Sequence, residues 1–104
     1  RYGADILRQA VNYGYQEGLY AGRADRMDGW RYDYRNAWVY RDANYGYRGY
    51  YVQQREYNYY FREGFRRGYE DGYYTRYNYG RSYNGSDVIL GSVLSGILNL
   101  QAYY

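Results

Sequence analysis

The chain has 104 residues, among them 22 Tyr and 14 Gly, with 14 cations against 11 acids and a formal net charge of +3. Every cation is Arg, and Lys, His, Cys and Pro are all missing, which removes imidazole bases, thiolate nucleophiles, Schiff-base lysines, P-loops and Cys/His zinc sites. The length fits one domain at most, and the mild basicity is not the footprint of a dedicated nucleic-acid binder.

The first residue is Arg1, with no Met and no signal-like stretch before the first element, as in a mature secreted chain or a trimmed one. Leu7, Val11, Gly14, Gly18, Ala21 and Asp25 then fall on one stripe of 3–4 spacing, which predicts a helix. Gly14, Gly18 and Gly22 recur every four residues along it, and each interior glycine costs a helix about 1 kcal/mol relative to Ala. Close backbone approach of a second helix is the gain that offsets such a cost. Gly29 is a natural stop. Trp30 to Gly49 is a mixed Arg/Tyr/Asp stretch, expected to pack through its aromatics or to form a short helix near Tyr34–Tyr40, with a turn-like run from Asp42 to Gly46.

A second helix is expected to begin just after Gly49 and to end at Gly72 or Gly80. It carries Gly64, Gly68 and Gly72 at the same spacing of four, and Glu63/Arg67 and Arg67/Asp71 at i,i+4 ion-pair spacing. Residues 73–85 read as a low-complexity Tyr/Asn/Gly/Arg linker. Composition then changes: Ser86-Asp87 reads as an N-cap for the apolar run Val88–Leu100. Its bulky face is Val88, Ile89, Leu90, Val93, Leu94, Ile97, Leu98 and Leu100. Alternation of Leu98, Leu100 and Ala102 keeps a strand open as the other reading. As a helix the run spans about 20 Å, too short for an ordinary bilayer crossing.

Two stretches match. Asn12–Asp25 recurs as Asn58–Asp71, displaced by 46 positions, with Asn12/Asn58, Tyr13/Tyr59, Glu17/Glu63, Gly18/Gly64, Gly22/Gly68 and Asp25/Asp71 identical. Composition bias explains the Tyr and Gly matches but not Asn, Glu and Asp in one register. The expected fold is therefore mainly α: a Gly-grooved helical hairpin from an internal duplication, plus a short apolar C-terminal helix, completed by self-assembly. Residues 1–85 form the duplicated region, with repeat cores 12–25 and 58–71, and 86–104 form the apolar assembly segment.

Carboxylate pairs such as Glu70/Asp71 and Asp25/Asp28 invite comparison with glycosidase or Ca²⁺ sites. Each lies beside Arg on a predicted helix surface, where solvated ion pairing is the better reading, and no EF-hand spacing occurs. No enzyme, cofactor or metal site is expected. Asn84-Gly85-Ser86 is a candidate N-glycosylation sequon in a turn. Interleaved Arg and Tyr suit stacking on sugars or on single-stranded bases, although eleven interspersed acids oppose the nucleic-acid option.

The runs Gly14-Tyr15-Gln16-Glu17-Gly18 and Phe61-Arg62-Glu63-Gly64-Phe65-Arg66-Arg67-Gly68-Tyr69-Glu70-Asp71-Gly72-Tyr73 resemble Arg/Tyr/Gly-rich segments (GYxEGxxxGxxD-type) of uncharacterised exported bacterial proteins. The resemblance covers Asn12 to Tyr73 and implies bacterial origin and export, with nothing catalytic. The functional expectation is a self-assembling structural subunit of an extracellular or cell-surface fibre, filament or tube. Its partner is itself, with glycans second, no specific nucleic acid and no membrane span. The alternative is a Tyr/Arg-rich binding module for polysaccharide or single-stranded nucleic acid.

Overall fold

A computed structural model describes residues 2–102, with side chains described for residues 3–99. It is mainly helical. Helix α1 (Tyr2–Met27) is followed by a 3-10 turn at Tyr34–Asn36 and the short helix α2 (Trp38–Asp42). Helix α3 (Gln54–Tyr73), strands β1 (Gly80–Tyr83) and β2 (Ser86–Ile89), and helix α4 (Gly91–Ala102) complete the chain.

The centre of the molecule is the contact between α1 and α3, and it is made by backbone. A Cβ placed on Gly14, Gly18 or Gly22 would overlap the carbonyl oxygens of Phe61, Phe65 and Tyr69 in turn. One placed on Gly64, Gly68 or Gly72 would overlap those of Val11, Tyr15 and Leu19. Each glycine thus directs a Cα–H at a carbonyl of the facing helix, a weak hydrogen bond repeated six times. The carbonyls advance with the glycines on both sides, so the two helices run parallel. The expected hairpin is corrected: the connection through residues 28–53 carries the chain back along the length of α1 before α3 begins. The facing register is a displacement of 50 (Gly14 opposite Gly64), one helical turn beyond the displacement of 46 that relates the matching sequences.

The 46-residue relation survives at the helix ends. At the end of α1, Gly29 is left-handed (φ 75°) and the Trp30 amide donates to the Asp25 carbonyl at 2.9 Å. At the end of α3, Thr75 is left-handed (φ 55°) and the Arg76 amide donates to the Asp71 carbonyl at 3.0 Å. Both are 6→1 closures of the Schellman type. Gly72 is not the stop: it lies inside α3 against Leu19. The second helix also begins later than expected, at Gln54.

The bulk beside the glycines builds a core within one chain. Val11, Tyr15, Leu19, Phe61, Phe65 and Tyr69 are all fully buried, joined by Ala10, Tyr57 and Tyr60. Rings succeed one another along α3: Tyr57, Phe61, Phe65, Tyr69 and Tyr73 stack at centroid distances of 5.9 to 6.4 Å. Burying tyrosine is tolerable because the hydroxyls find acceptors: among the described residues no buried side-chain nitrogen or oxygen lacks a partner.

Residues 73–85 are more than a linker, and Ser86-Asp87 does not cap a helix. Asn84 and Gly85, with φ of 51° and 80°, form the two-residue turn of a β-hairpin that pairs Tyr83 with Ser86 and Gly80 with Ile89. The outward edge of β2 is closed by α1: the Ile89 amide donates to Asn12 Oδ1 (3.2 Å), and Gln16 Nε2 donates to the Asp87 carbonyl (3.0 Å). Asn58, the counterpart of Asn12, ties the inter-helix connection instead, donating to the Ala43 carbonyl at 2.6 Å.

The apolar tail is thus a strand followed by a helix. Ile89 and Ile97 are buried, and Val93, Leu94 and Leu98 pack partly buried against the core. Val88 and Leu90 are half-buried, and the Leu100 side chain lies outside the described residues. The apolar run therefore finds cover in its own chain, since the hairpin folds it back onto α1. Self-assembly is not needed to complete the interior.

The interlock predicts opposite signs for two glycine-to-alanine changes. Gly18→Ala or Gly68→Ala must push rigid backbone aside and should lower stability by about 3 kcal/mol or more in denaturant unfolding. Gly96→Ala, at a helical position with nothing within 4 Å, should raise it by about 1 kcal/mol.

Candidate functional site

Both tandem carboxylates singled out in the sequence have structural partners. Asp71 is fully buried rather than on a solvated surface. Its carboxylate accepts the Tyr15 hydroxyl (2.7 Å) and the amides of Asn78 (3.0 Å) and Tyr79 (2.8 Å). It therefore fixes the entry to the hairpin over the α1–α3 seam, and Gly80 crosses directly above the Tyr15 hydroxyl. Of the two ion pairs expected at this spacing, Glu63–Arg67 forms at 2.9 Å and Arg67–Asp71 does not. Glu70 pairs with Arg76.

Asp25 plays a related part at the end of α1. It accepts the Tyr69 hydroxyl at 2.5 Å, and that hydroxyl also accepts the Asp33 amide at 3.1 Å. Tyr73 donates to the Trp30 carbonyl at 2.7 Å. Two tyrosines of α3 thus hold the segment 30–33 in place. Tyr32 sits among their rings, edge-on to Tyr69 and Tyr73 at 5.0 and 5.3 Å and stacked on Tyr74 at 5.7 Å. Burial, with Glu70 nearby, pushes the Tyr32 phenol up to about 12.

Between this segment and the 3-10 turn lies a cleft of about 520 Å³, lined by Asp25, Asp28, Trp30, Arg31, Asp33 and Asn36 among others. Trp30 is 60% exposed. Among the described residues Asp28 and Asp33 have no salt-bridge partner, and Asp33 makes no capping bond to the turn that follows it. The cleft thus offers an indole face beside three carboxylates and one guanidinium, a lining that repels phosphate and suits a cation or a polyol. Among the described residues no cluster of three or more His, Cys, Asp or Glu side chains could hold a metal ion.

Exposed aromatics are spread over a molecule measuring 40 × 26 × 26 Å: Tyr20 and Tyr59 on the helices, Trp38 on α2 and Tyr83 on the hairpin, as well as others toward the two ends. Met27 (86% exposed), Trp30 and Tyr74 lie where α1 and α3 finish. Tyr45, Tyr50 and Tyr51 lie on the connection that reaches the start of α1, where Gly3 approaches the Tyr51 carbonyl. Of the residues picked out from the sequence, the six glycines meet in one seam, Ile89 and Ile97 join the core beside it, and Asn84 stands exposed at the hairpin tip. The cleft was not picked out, because Asp25, Asp28, Trp30 and Asp33 become neighbours only once Gly29 has reversed the chain.

Comparison with protein-family models, curated proteins and solved structures finds no match. Among the described residues no helix is long and apolar enough to cross a membrane.

The buried phenols make stability pH-dependent in a definite direction. Burial first, and then the bond to Asp71, raises the Tyr15 pKa; burial followed by the bond to Asp25 raises that of Tyr69; burial also raises that of Tyr57. A pKa raised by folding favours the protonated form, so this stability is complete below the unfolded phenol value of about 10 and is lost as pH rises above it. Absorbance titration at 295 nm should show a group of phenolates, those of Tyr15, Tyr57 and Tyr69, appearing only as circular dichroism is lost. Replacing Asp71 by Ala leaves two part-buried amides and the buried Tyr15 hydroxyl without their acceptor. It should cost about 2–4 kcal/mol in the same unfolding assay.

Proposed function

We propose that the protein is a non-catalytic structural subunit that assembles end to end into an extracellular filament. The observation that carries this reading is the polarity of the fold. Parallel α1 and α3 give the rod two unlike ends, and exposed aromatic side chains occur at both of them as well as along its sides. Tyr and Trp supply large contact area at low entropic cost, so such surfaces adhere readily. Contact between unlike ends leaves a free head and a free tail after every addition, and that produces open polymers wherever the rotation between copies does not close a ring.

An internal duplication accounts for the matched sequences and for the similar closures at Gly29 and Thr75. Export suits a Tyr/Gly-rich chain without thiols. Polysaccharide binding is the second reading, favoured by the exposed indole of Trp30 beside carboxylates that can accept sugar hydroxyls.

Sedimentation velocity across a hundredfold range of concentration tests the proposal, with negative-stain microscopy of the same samples. Species that lengthen with concentration are expected, with an axial repeat near the 40 Å long dimension of the subunit. Replacing Tyr45 and Tyr50 by Ser should move assembly to higher concentration. A single sedimenting species of 12.6 kDa throughout would refute it.

A further inference from the structure

We infer that the cleft at the end of α1 is the socket of this end-to-end contact, and that it receives the loop Arg48-Gly49-Tyr50-Tyr51 of the next copy. The inference rests on the filament reading and adds the site and the segment that occupies it.

Charge is the first argument. The cleft sets Asp25, Asp28 and Asp33 against the single cation Arg31. Among the described residues Asp28 and Asp33 pair with no cation. At the other end of the rod Arg48 is exposed and has no acid partner among the described residues. A guanidinium forks onto carboxylates and stacks on indole, and Trp30 offers that face on the cleft wall.

The helices supply the second argument. Because α1 and α3 are parallel, their macrodipoles add: both carbonyl ends lie toward the cleft and both amide ends toward the loop. The field of the helices therefore has the same sign as the cleft carboxylates and as Arg48, although Asp5 and Glu56 in the first turns and Arg26 in the last turn of α1 reduce it, and it favours head-to-tail approach.

Shape is the third. The loop is narrow, since Gly49 is left-handed at φ 82° with nothing within 4 Å of it. Arg48 and Tyr50, both exposed, flank that glycine. A cleft of about 520 Å³ is large enough for an Arg and part of a Tyr ring. Phosphate-bearing partners are disfavoured by the same carboxylates.

Charge reversal in both directions tests the assignment. Arg48→Glu spoils only the loop, and Asp28→Arg with Asp33→Arg spoils only the cleft. All three positions are outside the core, so melting curves should stay close to that of the parent chain. Each variant alone should need at least about tenfold higher concentration to assemble, and added salt should weaken the parent contact. An equimolar mixture of the two should assemble again, because the acidic cleft of one accepts the Arg48 loop of the other, while the reversed cleft accepts Glu at position 48.

Assembly of Arg48→Glu at the parent concentration would overturn the socket while leaving the filament reading intact. A parent chain that never assembles would remove both. Saturable quenching of indole fluorescence by cellohexaose, lost on Trp30→Ala and without effect on parent assembly, would assign the cleft to a glycan and overturn the socket.

Discussion

Everything in this molecule depends on how closely two backbones approach. Six glycines on parallel helices face six carbonyl oxygens, and no side chain intervenes along the seam. Gly is unfavourable inside a helix by about 1 kcal/mol relative to Ala. The offset comes from dispersion between densely packed backbones, from six Cα–H···O contacts, and from the rings that close approach allows to interlock on either side. Residues such as Val11, Tyr15, Phe61 and Phe65 are fully buried because the glycines next to them let the helices sink together.

Such a seam explains how a chain with so few aliphatic residues makes an interior. Tyrosine substitutes for Leu and Ile provided that each hydroxyl is met, and here the acceptors are provided by the ends of the same helices. Tyr15 reaches Asp71 and Tyr69 reaches Asp25, so each helix terminates on a ring from its neighbour. The side chains that make the core also fix where the chain leaves α1 and α3. They thereby shape the cleft, because Tyr69 and Tyr73 hold the backbone of residues 30–33.

Much of this was legible from the residues alone. Glycines every four positions announced a close helix crossing, Gly29 announced the end of α1, and the abrupt loss of charge after Asp87 announced a segment in need of cover. Direction was not legible, since a stripe of glycines suits parallel and antiparallel partners alike; only the long connection favoured a return of the chain. The burial of Asp71 was hidden because its nearest cation in sequence, Arg67, sits at ideal ion-pair spacing yet turns to Glu63. The hairpin was missed although Asn84-Gly85 is a strong signal for a two-residue turn. Reading that dipeptide as a sugar acceptor, and Ser86-Asp87 as a cap, obscured the short strands around it. Of the cleft only the Asp25/Asp28 pair showed in sequence, because the rest of its lining is brought in by a chain reversal that rings from α3 hold in place.

The parallel seam also constrains the order in which the chain can fold. Helix α1 has glycine at positions 14, 18 and 22, and a helix of that composition is marginal in water by itself. Its partner surface begins only at Phe61, so the chain must extend through the whole connection before either helix can be consolidated. Helicity and long-range contact therefore arise together, and a ribosome-bound chain ending before α3 has nothing to lock its first element in place.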